Sequence, residues 1–440
     1  MKFLLLSILF YSVYAAAFAQ IVAKEHREAI ALEEAIERGL QYSSQLQIDS
    51  INLKISYARM MQGQQQKLPD ITANLSYFRI SDNIIPFKVS LPAGEVVLNP
   101  QVLNQSFNSI QAKQLIWSGG KLRAANEMLE LEGKRLLYEI SKSKTGLKAA
   151  ITSIWYNLYA LQHTQQILQS NIELLYRQRK DVEHNVKEGV ALQNELLKID
   201  LAIATLETNF AEILNNRRTL SFNLCLLTGY KTDDYLQVSD TLPFIEKTIN
   251  SSDQAIALAL GNRPEWKQTD VSFQQAKKTL SITRTNYLPT ISAGGSYNYD
   301  LPNQRLFPNQ AVFTGTWNAG IFLNWSISGM FTNKQKVLEA TLSKEKVDFS
   351  KRMLYEKILM EVNSNFNDYL VALEKIKIAE KSLVLATEHL RIEQNKLNSF
   401  TISATDFLSA NTLYIQARIN LATTVATVDM AYQKLLLSIY

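Results

Sequence analysis

The chain contains few side chains of the types and spacing that catalysis or metal binding requires. Its four histidines are His26, His163, His184 and His389, and none is followed four residues later by another, as helical metal ligands are. Its one cysteine, Cys225, lies among leucines, where we expect a buried and unreactive thiol. These residues indicate no metal site, no catalytic nucleophile and no cofactor.

Two short motifs resemble parts of enzyme sites but lack residues that those sites need. The segment Ser118-Gly119-Gly120-Lys121 is similar to the end of a phosphate-binding loop. However, Leu115 stands where the first glycine is required, and Leu122 stands where Ser or Thr should follow the lysine. The adjacent acids Glu33 and Glu34 are explained as the polar face of a helix, and no Gly-x-Ser-x-Gly motif is present. The sequence therefore argues against an enzyme.

The charge balance argues against nucleic acid as a partner. The chain has 46 Lys and Arg residues against 41 Asp and Glu residues, which gives a net charge of +5. A domain that binds nucleic acid usually concentrates far more positive charge on one face.

The N-terminus has the pattern of a secretory signal peptide. Lys2 precedes the apolar run Phe3–Phe10, and small residues lead up to Ala19. We expect residues 1–19 to be removed and the mature chain to begin near Gln20. The remaining sequence contains no apolar run of about 20 residues, so only strands could carry this chain across a membrane.

The sequence repeats itself with a period of roughly 210 residues, which is far longer than the period of solenoid repeats. Leu68-Pro69-Asp70-Ile71 recurs as Leu288-Pro289-Thr290-Ile291, and Trp117-Ser118-Gly119 recurs as Trp325-Ser326 followed by Gly329. We therefore expect a first repeat over residues 20–230, a linking segment over 231–262 and a second repeat over 263–440.

Each repeat ends in a long stretch that favours helix. All nine prolines lie outside these stretches, and residues 330–440 contain no glycine either. Apolar residues recur there every seven positions, which is typical of supercoiled helices, and Arg217 alone interrupts the row from Leu196 to Leu227. Turns are indicated near Glu188-Gly189 and near residues 398–401. We expect helical hairpins at about 121–229 and 330–440.

Four segments alternate between apolar and polar side chains, at about 70–80, 107–117, 290–299 and 316–327. Their length of about ten residues suits tilted membrane-spanning strands. The segments between them, Ser81–Gln105 and Asp300–Gly315, are expected to be outward-facing loops. A soluble, half-buried sheet would show the same alternation, so the pattern leaves both interpretations open.

Four strands cannot close into a barrel, and an open edge in lipid leaves backbone groups unpaired at a cost of several kcal/mol each. A membrane location therefore requires strands from several protomers. Two copies would supply eight strands and an interior filled by side chains, whereas three would supply twelve and leave a pore.

The order of helix, strand pair and long helical hairpin, repeated once after a signal peptide, resembles the TolC family of outer-membrane efflux proteins along essentially the whole mature chain. The match rests on the repeated Leu-Pro strand entry, the repeated Trp-Ser strand exit and two hairpin tips of similar sequence. The first tip reads Gly189-Val190-Ala191-Leu192 and then Glu195, and the second reads Phe400-Thr401-Ile402-Ser403 and then Asp406-Phe407-Leu408.

The resemblance implies a mostly α fold with β-strands, internally duplicated, in which coiled-coil helical hairpins accompany four transmembrane strands per protomer. It further implies a homotrimer with a twelve-stranded β-barrel in the outer membrane of a Gram-negative bacterium, continuous with a twelve-helix α-barrel in the periplasm. The implied function is non-enzymatic export of small molecules or proteins from the periplasm to the exterior. Besides outer-membrane lipid, the implied partners are a periplasmic adaptor (membrane fusion) protein and an inner-membrane transporter of RND, ABC or MFS type, in a tripartite efflux or type I secretion system.

The resemblance also suggests a gate. In some family members carboxylates just after the second tip ring the constriction, and Asp406 occupies the first such position, whereas Ser409 stands where the second would be. Ile402 stands where some members carry an arginine. A narrow ring of three carboxylates would hold cations and repel anions. The alternative is that Asp406 is a solvated acid at a helix start, near an N-cap at Ser403 or Thr405.

The family docks its adaptor at the hairpin tips. The residues that the resemblance assigns to docking are Gly189, Val190, Ala191, Leu192, Phe400, Thr401, Ile402 and Ser403. The alternative function for the whole chain is that of a soluble periplasmic coiled-coil adaptor or structural protein, because hairpins of heptad helices serve such roles too. That protein would have no lipid-facing strands.

Overall fold

The computed structural model describes residues 29–232, 235–243, 247–399 and 401–440. The expected signal peptide, residues 1–19, lies outside these residues, and so does Phe400 of the second tip. The mostly helical fold with strands that the sequence predicts is confirmed.

The order of two shorter helices, a group of strands and two long helices occurs twice along the chain. The helices are α1 (Leu32–Tyr42), α2 (Ser44–Gln65), α3 (Lys121–Lys187), α4 (Gln193–Thr228), α5 (Ser252–Asn262), α6 (Pro264–Thr285), α7 (Gly329–Asn398) and α8 (Ala404–Leu437). The strands are β1 (Asp70–Arg79), β2 (Phe87–Leu91), β3 (Gly94–Asn99), β4 (Asn104–Trp117), β5 (Thr290–Leu301) and β6 (Thr314–Asn324). Within the described ranges, no helix is both long enough and apolar enough to span a membrane.

Local residue chemistry sets the ends of several helices. α4 ends at Gly229, whose φ of 75° is left-handed and whose N–H donates to the carbonyl of Cys225 at 2.8 Å. α5 begins after Ser251, whose hydroxyl accepts a hydrogen bond from the N–H of Gln254. α6 begins at Pro264, which has no N–H to leave unpaired in the first turn.

The chain divides into two compact units. Among the described residues, the helical unit comprises 29–50, Tyr138–Lys267 and Met353–Tyr440, and the sheet unit comprises Ile51–Leu137 and Gln268–Arg352. The sheet unit contains a four-stranded antiparallel sheet in the order β1-β4-β5-β6 and a separate hairpin of β2 and β3. The strand pairs of the two repeats are therefore joined into one sheet through β4 and β5.

One apolar core of the helical unit holds the segment that follows α4 in place. The indole N–H of Trp155, a fully buried residue, donates to the carbonyl of Ile30 at 2.9 Å, and Ile30 pairs with Val238 as an isolated parallel bridge. The amide of Gln162 donates to the carbonyl of Val238 at 3.2 Å. Buried Cys225 belongs to the same core.

Arg217, which interrupts the heptad row of α4, also holds this segment. Only 4% of the residue is exposed. Its Nη1 donates to Oε1 of Gln165 on α3, and its guanidinium lies 4.9 Å from the ring centroid of Tyr235. The cation–π contact and the hydrogen bond together stabilise a charge that burial alone would disfavour. The break in the repeat is thus one of the points at which the chain after α4 packs against the helices.

Three departures from the sequence expectation follow from local chemistry. The loop expected at Ser81–Gln105 contains the β2–β3 hairpin, whose turn includes Gly94 at a φ of 123°. β4 begins at Asn104, earlier than the expected 107. β6 ends at Asn324, short of the expected 327, because the chain turns there and the N–H of Gly329 donates to the carbonyl of Ser326.

A buried amide pair joins α3 to α8 in the helical unit. Nδ2 of Asn171 donates to Oδ1 of Asn411 at 2.8 Å, and Nδ2 of Asn411 donates to Oδ1 of Asn171 at 3.1 Å. The two residues are 4% and 2% exposed. Both bonds form only when the two helices are aligned at this register, so the pair specifies how α8 lies along α3.

Replacing Asn411 with Ala leaves the Asn171 amide buried without its partner, and we expect stability to fall by about 1–3 kcal/mol. Replacing both residues with Leu removes the need for a partner, and this double variant should recover most of the loss. Thermal unfolding of the purified protein, followed by circular dichroism, measures both effects. A double variant no more stable than Asn411→Ala would contradict the pairing argument.

Candidate channel lining and gate

The register of the sheet brings most of the apolar side chains of the four long strands to one face. Residues directly opposite each other on antiparallel strands share a face. One row across the sheet is Ala73, Ile110, Tyr297 and Trp317, and the row beside it is Ile71, Ala112, Gly295 and Ala319. The separate alternations seen in the sequence are therefore one continuous apolar surface.

This apolar surface is uncovered. Leu75 is 81% exposed, Trp317 is 74% exposed and Ile321 is 78% exposed. A half-buried soluble sheet would pack these side chains against a helix or a second sheet, because leaving them in water forfeits about 1.5–3 kcal/mol per large apolar residue. The face is suited to contact with an apolar medium.

The opposite face is polar and concave. Its central rows are Thr72, Gln111, Ser296 and Asn318, and then Asn74, Ser109, Asn298 and Thr316. Nδ2 of Asn318 donates to Oγ of Ser296 at 2.8 Å. A hollow of about 590 Å³ lies on this face and is lined in part by Gln111, Ser296 and Asn318. The arrangement provides a hydrophilic wall for a water-filled path.

The two edges of the sheet are β1 and β6. Their outward backbone groups have no strand partner within the described part of this chain. Combined with an apolar face, such edges favour pairing with further strands over exposure to lipid.

The first hairpin tip is tightly turned and presents apolar side chains. Gly189 has a φ of 75°, and the N–H groups of Val190 and Ala191 both donate to the carbonyl of Asn185. Val190 is 59% exposed and Leu192 is 73% exposed. These are accessible apolar groups on a well-defined turn, as a docking surface requires.

Hydrogen bonds from a threonine stabilise the turn at the second tip. The N–H of Thr401 donates to the carbonyl of Lys396 at 3.0 Å, and its hydroxyl donates to the same carbonyl at 2.9 Å. Ile402 and Ser403 are half-buried and lead into α8.

Asp406 lies in the first turn of α8 and takes part in its N-terminal cap. Its Oδ2 accepts from the N–H of Ser403 at 3.3 Å and from the hydroxyl of Ser403 at 3.0 Å. The side chain remains exposed. The capping role that the sequence offered as the alternative is thus present, and the exposed carboxylate also keeps its charge available to solvent.

Glu195 joins the two tips, a role that the sequence analysis did not assign. Its Oε2 accepts from the N–H of Ala404, the first residue of α8, at 2.7 Å. Nζ of Lys198 donates to Oε1 of Glu195 at 3.1 Å and to the hydroxyl of Thr405 at 2.7 Å. An acid in the first turn is common at any helix start, so nothing in the sequence pointed to a partner on the other hairpin.

Charged side chains fix α3 against α4 close to the first tip. Arg179 pairs with Asp200 on α4 and with Glu183 on its own helix. The hydrogen bond from Lys187 holds the pKa of the Glu183 carboxyl below its ordinary value, and the bond to Asp200 raises the pKa of Arg179. Because these groups are exposed, they contribute little stability and mainly set the geometry of the tip.

Comparison with known proteins agrees with this arrangement. Residues 255–439 match the family of outer membrane efflux proteins, whereas a search of curated proteins finds no significant match. Solved channels share the fold. The Campylobacter jejuni outer membrane channel CmeC is 15% identical with a TM-score of 0.77, over 93% of this chain and 85% of that chain. The Vibrio cholerae outer membrane protein VceC is 15% identical with a TM-score of 0.77, over 93% and 95%. The Neisseria gonorrhoeae channel MtrE, in its open state, is 15% identical with a TM-score of 0.73, over 93% and 88%.

The family match lies in the second repeat, and the likeness of fold extends over both repeats. Family members are non-enzymatic channels in the outer membrane of Gram-negative bacteria, with helical domains in the periplasm. The chain is thus similar over residues 255–439 to the outer membrane efflux protein family, and it shares the fold of solved outer membrane channels.

Proposed function

We propose that three copies of this chain form a channel-tunnel that exports small molecules or proteins from the periplasm to the exterior. The observation that carries the proposal is the four-stranded sheet, with one uncovered apolar face, one polar concave face and two open edges. Three such sheets would give a twelve-stranded barrel with lipid outside and a wet lumen inside. Closure would also pair every edge, since β1 of one copy would meet β6 of the next.

Exposed heptad rows on the helical unit support assembly of several copies. On α7 the exposed apolar residues Val371, Ile378, Leu385 and Ile392 are spaced seven apart. On α4 the exposed residues Leu197 and Leu201 lie four apart, as on one face of a helix. Rows of this kind normally pack against a neighbouring helix. In a homotrimer they would lie between copies and would build the twelve-helix barrel.

We further propose that the tips contact a periplasmic adaptor protein and that an inner-membrane transporter supplies the energy. Proteins of this family work with such adaptors and transporters in efflux systems. An RND, ABC or MFS transporter in a tripartite or type I secretion system would fit, and the transporter would choose the cargo. The apolar tip residues Val190 and Leu192 support docking, because exposed apolar anchors are what a protein partner covers.

The uncovered apolar face argues against the alternative of a soluble periplasmic coiled-coil protein. Replacing Ile321 with Lys should impair outer-membrane assembly, because a lysine on the lipid-facing side of a strand costs up to about 2–4 kcal/mol, depending on its depth in the bilayer. In a soluble sheet the same change at this exposed position would alter stability by less than about 0.5 kcal/mol. Membrane fractionation and heat-sensitive migration of the oligomer on gels provide the measurement.

The matched control for this change is Asn318→Lys, which places the same side chain on the polar face of the same strand. We expect Asn318→Lys to assemble as the wild type does. Equal assembly of both lysine variants, or equal loss, would contradict the orientation of the sheet.

Asp406 is proposed to form a ring of three carboxylates at the periplasmic gate. Two variants separate its charge from its capping bonds. Asp406→Asn keeps an oxygen acceptor for Ser403 and removes the charge, whereas Asp406→Ala removes both. Single-channel recordings should show that both variants lose cation preference and block by multivalent cations. A wild-type response from Asp406→Asn would mean that the residue acts only as a cap.

Docking at the first tip predicts that Val190→Asp abolishes export and leaves the oligomer intact. A buried, unpaired carboxylate would be unfavourable in an apolar contact with the adaptor. Export in cells and the oligomer on unheated gels are the two readouts. Gln169→Asp, on the exposed surface of α3 away from the tips, is the control and should export normally. Normal export by Val190→Asp would remove this residue from the docking surface.

A further inference from the structure

Two aromatic side chains interrupt the polar face of the sheet at the end nearest the outer loops. Phe78 is the next-to-last residue of β1, and Phe107 lies near the start of β4. The register places both on the face that carries Thr72 and Gln111. Their ring centroids are 5.6 Å apart with an interplanar angle of 40°, and Phe78 is 42% exposed. The pair therefore presents aromatic surface to the lumen side of the sheet.

A carboxylate stands beside this pair. Asp300 of β5 lies directly opposite Phe107 in the register, so the two side chains share the polar face as nearest cross-strand neighbours. Oδ1 of Asp300 accepts from the backbone N–H of Asn108 at 3.1 Å, which fixes the carboxylate next to the aromatic ring. Asp300 is half-buried, and partial burial strengthens its attraction for a cation.

No positively charged side chain lies in the cross-strand row that contains Asp300. Its cross-strand neighbours on this face are Phe107 and Thr314, and Ser76 completes the row. At the other end of the face, Asp70 stands directly opposite Lys113, so the negative charge there lies next to a positive one. The rows between the two ends contain only hydroxyl and carboxamide side chains.

We propose that Phe78, Phe107 and Asp300 form a binding site for organic cations that carry an apolar group. The aromatic faces would contact the apolar group and attract the cation through their quadrupoles, while the carboxylate would supply the opposite charge. A small hydrated inorganic cation would gain little from the rings, and a neutral aromatic would gain nothing from the carboxylate. The position at the outer end of the lining rests on the proposed channel function.

The probe for this site is benzyltriethylammonium, with tetramethylammonium as the comparison cation that lacks an aromatic group. Ligand-observed NMR on the detergent-solubilised protein measures binding without requiring conduction. Single-channel recordings with the probe on the loop side measure block. We expect Asp300→Asn and Phe107→Leu each to weaken binding and block by roughly tenfold, since a desolvated cation–π contact or ion pair contributes on that order. Tetramethylammonium should bind weakly to all forms.

Phe322→Leu is the matched control, because Phe322 lies on the same face at the opposite end of the sheet and is also exposed. It should bind the probe as the wild type does. Equal binding by the wild type and both site variants, or no binding by the wild type, overturns the site. A wild type that conducts without binding the probe rejects the site and keeps the channel function. A wild type that binds the probe but never conducts rejects the channel function and keeps the site.

Discussion

A backbone N–H or C=O in hydrocarbon must have a hydrogen-bond partner, and this requirement governs how the sheet of this protein can be used. Within the part of the chain that the structure describes, β1 and β6 leave their outer edges open, and the face that carries Leu75 and Ile321 is apolar and uncovered. Exposure of the apolar face to water is unfavourable, and so is exposure of the unpaired edges to lipid. Pairing of these edges with further strands, as in the proposed trimer, would satisfy both conditions at once.

The helical unit meets a different requirement, which is to hold long helices in one alignment. Apolar heptad contacts alone permit helices to slip by a turn. The Asn171–Asn411 pair and the contact of Glu195 with Ala404 each satisfy their partners at a single register. Arg217 does the same for the segment after α4. Polar groups thus specify positions along helices whose stability comes from apolar burial.

The sequence was sufficient for features that depend on periodicity and on chain breakers. Alternation located the four long strands, and the absence of proline from the long stretches located the hairpins. It was insufficient for contacts between distant residues. Asn171 lies three residues after Leu168 and so on the same side of its helix, but nothing local in the sequence identifies Asn411 as its partner. The β2–β3 hairpin was also missed, because prolines beside its strands suggested a loop.

The polar face has a consequence for anything that moves along it. In one row the side chains alternate hydroxyl, amide, hydroxyl and amide from Thr72 to Asn318, and in the next row the order is reversed from Asn74 to Thr316. The result is a checkerboard in which every carboxamide is flanked by hydroxyls. Such a surface stays wet and offers short-lived hydrogen bonds in all directions, without a fixed charge to trap an ion. In the proposed channel, this middle stretch would interact with solutes of either charge with nearly equal strength.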